Sequence, residues 1–226
     1  MICDMYNSQT VYHVYNQSNN YEPLYRTDAN YRFFLRKVRK HLVPYAEVLC
    51  YCLMPDHFHF MLMPTELGCL PSRSGRYLRM DEEASVPQYQ QNLSHAIKTL
   101  LSSYTQAMNK RYHRRGSLFR AKTKAKPGYI GFCPDDVQLA EGQSLADHIP
   151  YLRVCFDYIH NNPVKAGYVV HPEEWEHSSA LAYTGWPLSS VCNFELVEQL
   201  LGITKPYHYR RPTGDGVGGG LEAIRR

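Results

Sequence analysis

Hydrophobic side chains recur along this chain with two periods, and the switches between them mark its elements. Over TVYHVYNQS, residues 10–18, β-branched and aromatic residues alternate with polar ones, the period-two signature of a first strand. Asp28 is suited to cap a helix running to about His41. Its apolar positions Tyr31, Phe34, Leu35, Val38 and Leu42 fall on one helical face, while Arg32, Arg36, Lys37, Arg39 and Lys40 clothe the other. Tyr45 to Met54 returns to strand, Pro55-Asp56 makes a tight turn, and His57 to Met63 follows as the hairpin partner.

Residues 65–88 mix Gly, Pro, Ser and charges without periodicity and predict a long surface loop. A long amphipathic helix starts near Gln90, with Leu93, Ile97, Leu100, Leu101, Tyr104 and Met108 as its stripe, and stops at Gly116. SLFRAKTKA, residues 117–125, alternates like a strand: Arg120, Lys122 and Lys124 share one face, Phe119 and Thr123 the other. A second loop, roughly 127–144, leads to Pro150 as the first residue of a helix. That helix carries Leu152, Phe156 and Ile159 inward and halts before Pro163. A Trp- and Tyr-rich stretch to about Trp186, a short helix near 193–201 and a Gly-rich tail, expected to be partly disordered, complete the chain. The order β-α-β-β, then α-β-α, predicts an α+β fold: an antiparallel sheet with helices packed on its faces.

Composition narrows the field only a little. The 226 residues allow one full-sized core, and 44% hydrophobic with 20% charged residues is ordinary for a soluble globular protein. A net charge of +4 permits a nucleic-acid partner without requiring one. The seven cysteines (3, 50, 52, 69, 133, 155 and 192) are odd in number and contain no C-x-x-C pair, which argues against a disulfide framework and for a reducing compartment. The start MICDMYNSQT lacks a basic segment followed by an apolar one, and no apolar run reaches membrane length, so a cytoplasmic location is expected.

Three groups of residues could carry chemistry. His57 and His59, one residue apart on a strand, point to the same face while Phe58 and Phe60 point to the other. Two neutral imidazoles side by side suit a divalent metal, and they equally describe two histidines hydrogen-bonded on a partly buried sheet. In DYIHNNP, residues 157–163, Tyr158 and Asn162 lie on one helical face and Asp157 and His160 elsewhere. A phenol beside a carboxamide suits metal-assisted phosphoryl transfer; the bland alternative is an interior tyrosine before an ordinary helix stop. Arg111, Arg114, Arg115, Arg120, Lys122 and Lys124, interleaved with Tyr112, His113 and Phe119, suit a nucleic-acid strand or merely a solvated helix end.

Together these segments resemble the REP-associated tyrosine transposases, a branch of the single-tyrosine HUH transposases of bacterial insertion sequences. The resemblance runs from about Tyr12 to Tyr183 and rests on five segments in order: YHVYNQSNN, MPDHFHFMLMP, YTQAMNKRYHRRGSLFRAKTKA, DYIHNNPVKAGYV and PEEWEHSSALAY. It implies a ferredoxin- or RRM-like fold over residues 1–186, within which the loops near 65–88 and 127–144 stand as insertions; beyond it, the residues themselves predict a helical extension over 187–206 and a flexible tail over 207–226. It also implies that His57 and His59 ligate a divalent cation, Mg2+ or Mn2+, with Asn162 in the third ligand's place and Tyr158 as nucleophile. The implied partner is single-stranded DNA bearing a hairpin or palindromic repeat end, cut and rejoined through a 5′-phosphotyrosine without a nucleotide cofactor. Asp56 departs from the family, where Glu commonly precedes the first histidine.

Alternatives from other classes stand beside this reading. A DNA-binding protein without catalysis, a domesticated repressor or structural binder, would keep the same fold. A zinc site of Cys50, Cys52, His57 and His59 is a second rival, and Tyr104 a weaker candidate nucleophile. Neither the choice between monomer and homodimer nor the hairpin sequence is legible in the chain.

Overall fold

The computed structural model describes residues 6–73, 77–78, 88–130, 145–186 and 190–209. Its elements run β1 (Tyr12–Gln17), α1 (Asp28–His41), β2 (Ala46–Leu53), β3 (His57–Pro64), α2 (Glu66–Cys69), β4 (Tyr77–Leu78), β5 (Gln88–Tyr89), α3 (Asn92–Arg111), β6 (Lys124–Pro127), α4 (Leu145–His160), α5 (Asn162–Lys165), α6 (Ala180–Tyr183) and α7 (Phe194–Leu201). Four of the strands form one antiparallel sheet in the order β2-β3-β1-β6. With α1 between β1 and β2, and α3 between β3 and β6, this is the split β-α-β arrangement of ferredoxin-like folds.

The sheet is covered on both faces, and alternation decides which residues go where. Phe58, Phe60 and Leu62 of β3, with Tyr12 and Val14 of β1, join the core beneath α1 and α3. Phe34 of α1 centres that core, its ring 5.0 Å from Tyr104, 5.7 Å from Phe58 and 6.3 Å from Phe119. Burying such a ring is worth roughly 1.5–3 kcal/mol. The opposite face packs Cys50, Cys52 and Met61 against Leu152, Cys155, Phe156 and Ile159 of α4. A bulge between Val48 and Cys50 makes this possible, because the extra residue moves Cys50 onto the face shared with Met61. Val197 and Leu201 of α7 complete this second core.

Several expectations need correction. Residues 65–88 are not wholly loop: Thr65 Oγ1 accepts from the Gly68 amide and caps the short α2, and β4 pairs with β5. Residues 74–76 and 79–87 of that segment, and 131–144 of the second expected loop, lie outside the described residues. The 117–125 alternation matures into strand only from Lys124, since residues 117–123 are held by an isolated bridge between Ser18 and Phe119. Pro150 lies inside α4, which begins at Leu145, so the ring removes a donor within the helix instead of opening it. The expected flexible tail starts too early at 207: Tyr207 donates to Asp157 Oδ1 at 2.9 Å, and Tyr209 donates to the Ala180 carbonyl at 3.0 Å. The rest of the tail, 210–226, lies outside the described residues.

Candidate functional site

Pairing of β1 with β3 places Tyr15 opposite His59 and Gln17 opposite His57, so these side chains share the face under α4. His57 and His59 do share that face, as alternation predicts, with ring centres 5.1 Å apart. His57 Nδ1 lies 2.6 Å from Asp56 Oδ1, and that hydrogen bond holds the Asp56 carboxyl below its usual range. Gln17 Nε2 reaches the other Asp56 oxygen at 3.5 Å. His59 is fully buried; its Nδ1 sits 2.8 Å from Nε2 of His13, while its own Nε2 has no protein partner. Burial, then the His13 and His57 rings, hold the His59 pKa well below its ordinary value, so the ring is neutral.

These atoms test the fit of a metal. Both histidines have Nδ1 occupied by a neighbour, which is the arrangement that leaves Nε2 as the ligating nitrogen. The orphaned, buried Nε2 of His59 needs a partner, and a cation would provide one. Among the described residues no group of three or more His, Cys, Asp or Glu is arranged to hold a metal ion, so oxygen from an amide, water or phosphate must complete any shell. Cys50 and Cys52 share the face of His59 yet sit in the apolar core, with their thiols pushed well up by burial. They are small apolar residues here, and the four-residue zinc reading has no support.

Helix α4 carries Tyr158 over this face. Its ring centre is 5.9 Å from His59 and 6.0 Å from His13, edge-on to both, within a single chain. The phenol is pushed up to about 12 by burial, then by the Cys155 thiol and Tyr15. Lys165 Nζ lies 4.7 Å from the centre of the Tyr158 ring. Asn162 opens the next helix, α5, separated from the end of α4 by one residue; its Nδ2 donates to the Tyr158 carbonyl at 2.8 Å and the Ile159 carbonyl at 3.3 Å. Any ligand role of Asn162 therefore falls to Oδ1. Asp157 and His160 point away, Asp157 to Tyr207 and His160 to Ser179 Oγ at 2.7 Å. Tyr104 is fully buried and donates to the Leu24 carbonyl at 2.8 Å, a structural tyrosine.

Register also brings part of the basic run to the histidines. Lys124 pairs with Tyr15, and its Nζ lies 5.7 Å from that ring. One small pocket is lined by His57, His59, Tyr15, Arg120, Lys122 and Lys124. Arg111 and Arg115 are exposed beyond it, at the end of α3. Arg114 is different: its Nε donates to Glu22 at 2.8 Å and its Nη1 to Asn109 at 2.6 Å, so it braces the turn after α3. His13 escaped sequence reasoning. Its only signal is that it alternates in phase with Tyr15 and Gln17, which says nothing until β1 is paired with β3.

No protein-family model matches the chain, and no curated protein does. Among solved structures, the chain is similar to one described as a REP-associated tyrosine transposase bound to a REP hairpin. The two are 16% identical with a TM-score of 0.49, over 82% of this chain and 86% of that one.

Proposed function

We propose that this chain is a single-tyrosine DNA strand transferase that cleaves and rejoins single-stranded DNA at hairpin-bearing sites. The observation that carries the reading is the meeting of the Tyr158 ring with the His59 imidazole, 5.9 Å apart, beside a cationic pocket. His57, His59 and Asn162 would hold a divalent cation, Mg2+ or Mn2+, which when bound withdraws charge from a non-bridging phosphate oxygen. Arg120, Lys122 and Lys124 hold the strand through its phosphates, with Arg111 and Arg115 extending the track. Tyr15, half-buried at the pocket, offers a ring on which an unstacked base can lie.

Chemistry then falls to the phenol. Tyr158 Oη attacks phosphorus, the new O–P bond replaces the bond to the 3′ oxygen, and that oxygen leaves as a 3′-hydroxyl after taking a proton. The phenol proton passes to solvent. The resulting 5′-phosphotyrosine keeps the phosphodiester's energy, so a second 3′-hydroxyl can displace Tyr158 without a nucleotide cofactor. Because burial raises the phenol's pKa, attack requires a positive neighbour; the Lys165 Nζ, 4.7 Å from the ring centre, is placed to serve, although burial lowers its own pKa.

The test is incubation of the protein with an end-labelled hairpin oligonucleotide and Mn2+, followed by denaturing electrophoresis. A covalent adduct that is absent in Tyr158→Phe supports the reading. A non-catalytic binder on the same fold remains the second reading, favoured by the raised phenol pKa. Tight hairpin binding with no adduct under any divalent cation would establish it.

A further inference from the structure

An imidazole that offers Nε2 to a cation must carry its proton on Nδ1. For His57 the Asp56 carboxylate, an acceptor only, sees to this. His59 has no such partner. Its Nδ1 faces Nε2 of the His13 imidazole across 2.8 Å. One proton lies between two nitrogens, so the pair has two arrangements. In the first, His59 Nδ1–H donates to His13 Nε2 and the His59 Nε2 lone pair is exposed to the site. In the second, His13 Nε2–H donates to His59 Nδ1 and the His59 proton sits on Nε2.

The surroundings separate these arrangements. His59 Nε2 is buried without a protein acceptor, so the second arrangement strands an N–H, the kind of orphan that folded proteins avoid. His13 is itself fixed. It sits on the central strand β1, diagonal to His59 across the ladder, with its ring stacked at 4.7 Å on Tyr15 and at 5.0 Å on His59. The ring cannot turn away without disturbing the sheet face that carries the site.

We propose that His13 is the positioning residue of His59: it accepts the Nδ1 proton and thereby holds the Nε2 lone pair ready for a cation. The proposal rests on the metal-dependent reading above, and it makes the two histidines inequivalent. His57 is held by a carboxylate and His59 by an imidazole, so their ligand strengths differ.

The experiment reads the tautomer directly. Long-range 1H–15N correlation spectra of the full chain, labelled with 15N-histidine and free of metal, assign the proton on each ring. The expected result is His59 protonated at Nδ1 in the native chain, a shift toward Nε2 protonation in His13→Phe, and restoration in His13→Gln, whose amide oxygen can accept. Mn2+ titration followed by water-proton relaxation should show affinity lower by about 10- to 100-fold in His13→Phe and regained in His13→Gln. Native His59 protonated on Nε2 overturns the proposal without recourse to any variant, so a folding failure of His13→Phe leaves the test intact. Unchanged tautomer and Mn2+ affinity in a folded His13→Phe overturns it as well. Failure of the strand-transfer reading is distinguishable: the tautomer and Mn2+ binding would behave as expected while no hairpin adduct forms.

Discussion

Tyr158 and His59 meet edge to face, ring centres 5.9 Å apart, although one ends a late helix and the other lies mid-sheet. Within one chain the phenol ring therefore lies against the imidazole, the juxtaposition on which the proposed strand transfer rests. Tyr158→Phe keeps the ring and its packing against α4's neighbours. Expected is loss of the covalent hairpin adduct with hairpin affinity and melting temperature close to native, read by electrophoresis, a binding isotherm and a thermal melt. A persistent adduct would transfer the nucleophile's role to another residue.

Charges near the histidines and charges at the end of α3 should behave differently. Replacing Arg120, Lys122 or Lys124 by Ala is expected to weaken hairpin binding at low salt and to flatten its salt dependence by about 0.7 for each phosphate left without its cation. Arg114→Ala should leave that slope near native, because Arg114 is engaged by Glu22 and Asn109. Its effect should fall on stability, by at most about 1 kcal/mol for so partly exposed an ion pair. Binding isotherms between low and physiological salt, beside urea unfolding, check both halves.

Stability should fade at both ends of the pH range, for opposite reasons. Burial pushes His13 and His160 down from 6.5 to about 3, so the unfolded chain takes up their protons before the folded one does. Their contribution is whole above pH 6.5 and disappears as pH falls toward 3, each with a slope of about 1.4 kcal/mol per pH unit. Tyr158 titrates the other way: its phenol is raised from 10.0 to about 12, and burial also raises Tyr25, Tyr31, Tyr51 and Tyr104. Their contribution is whole below pH 10 and is lost as pH climbs through the raised values. Urea midpoints across pH 4–11, with tyrosinate absorbance at the alkaline end, should trace a plateau near neutrality. A midpoint that kept rising below pH 6 would contradict the neutral, buried histidines.

Gly68 should tolerate no side chain. A Cβ there would overlap the Tyr45 carbonyl oxygen, which is backbone and cannot swing aside. Gly68→Ala is therefore expected to lower stability by about 1–3 kcal/mol through overpacking, measured by urea unfolding. Hairpin chemistry should survive in the fraction still folded, since α2 stands outside the pocket that holds the histidines.

Much of this architecture is local in origin and could be read along the chain. The stripe from Tyr31 to Leu42 makes α1 because each residue's face follows from the helical period, and the histidines share a face because a strand alternates. Asn162, expected beside Tyr158 on one helix, instead opens α5 and reaches back to the Tyr158 backbone carbonyl. What periodicity missed was short or interrupted: α2, four residues capped by Thr65, and a helix that runs through Pro150.

Local spacing thus settled which side chains travel together on each element. It could not settle which elements meet, because strand order, register and the bulge before Cys50 arise from long-range packing that no window of sequence contains. Only the folded chain set His13 against His59, drew Arg114 to Glu22 and laid Tyr158 over the imidazoles. The residues carry the chemistry, and the sheet's register decides which of them stand close enough to share it.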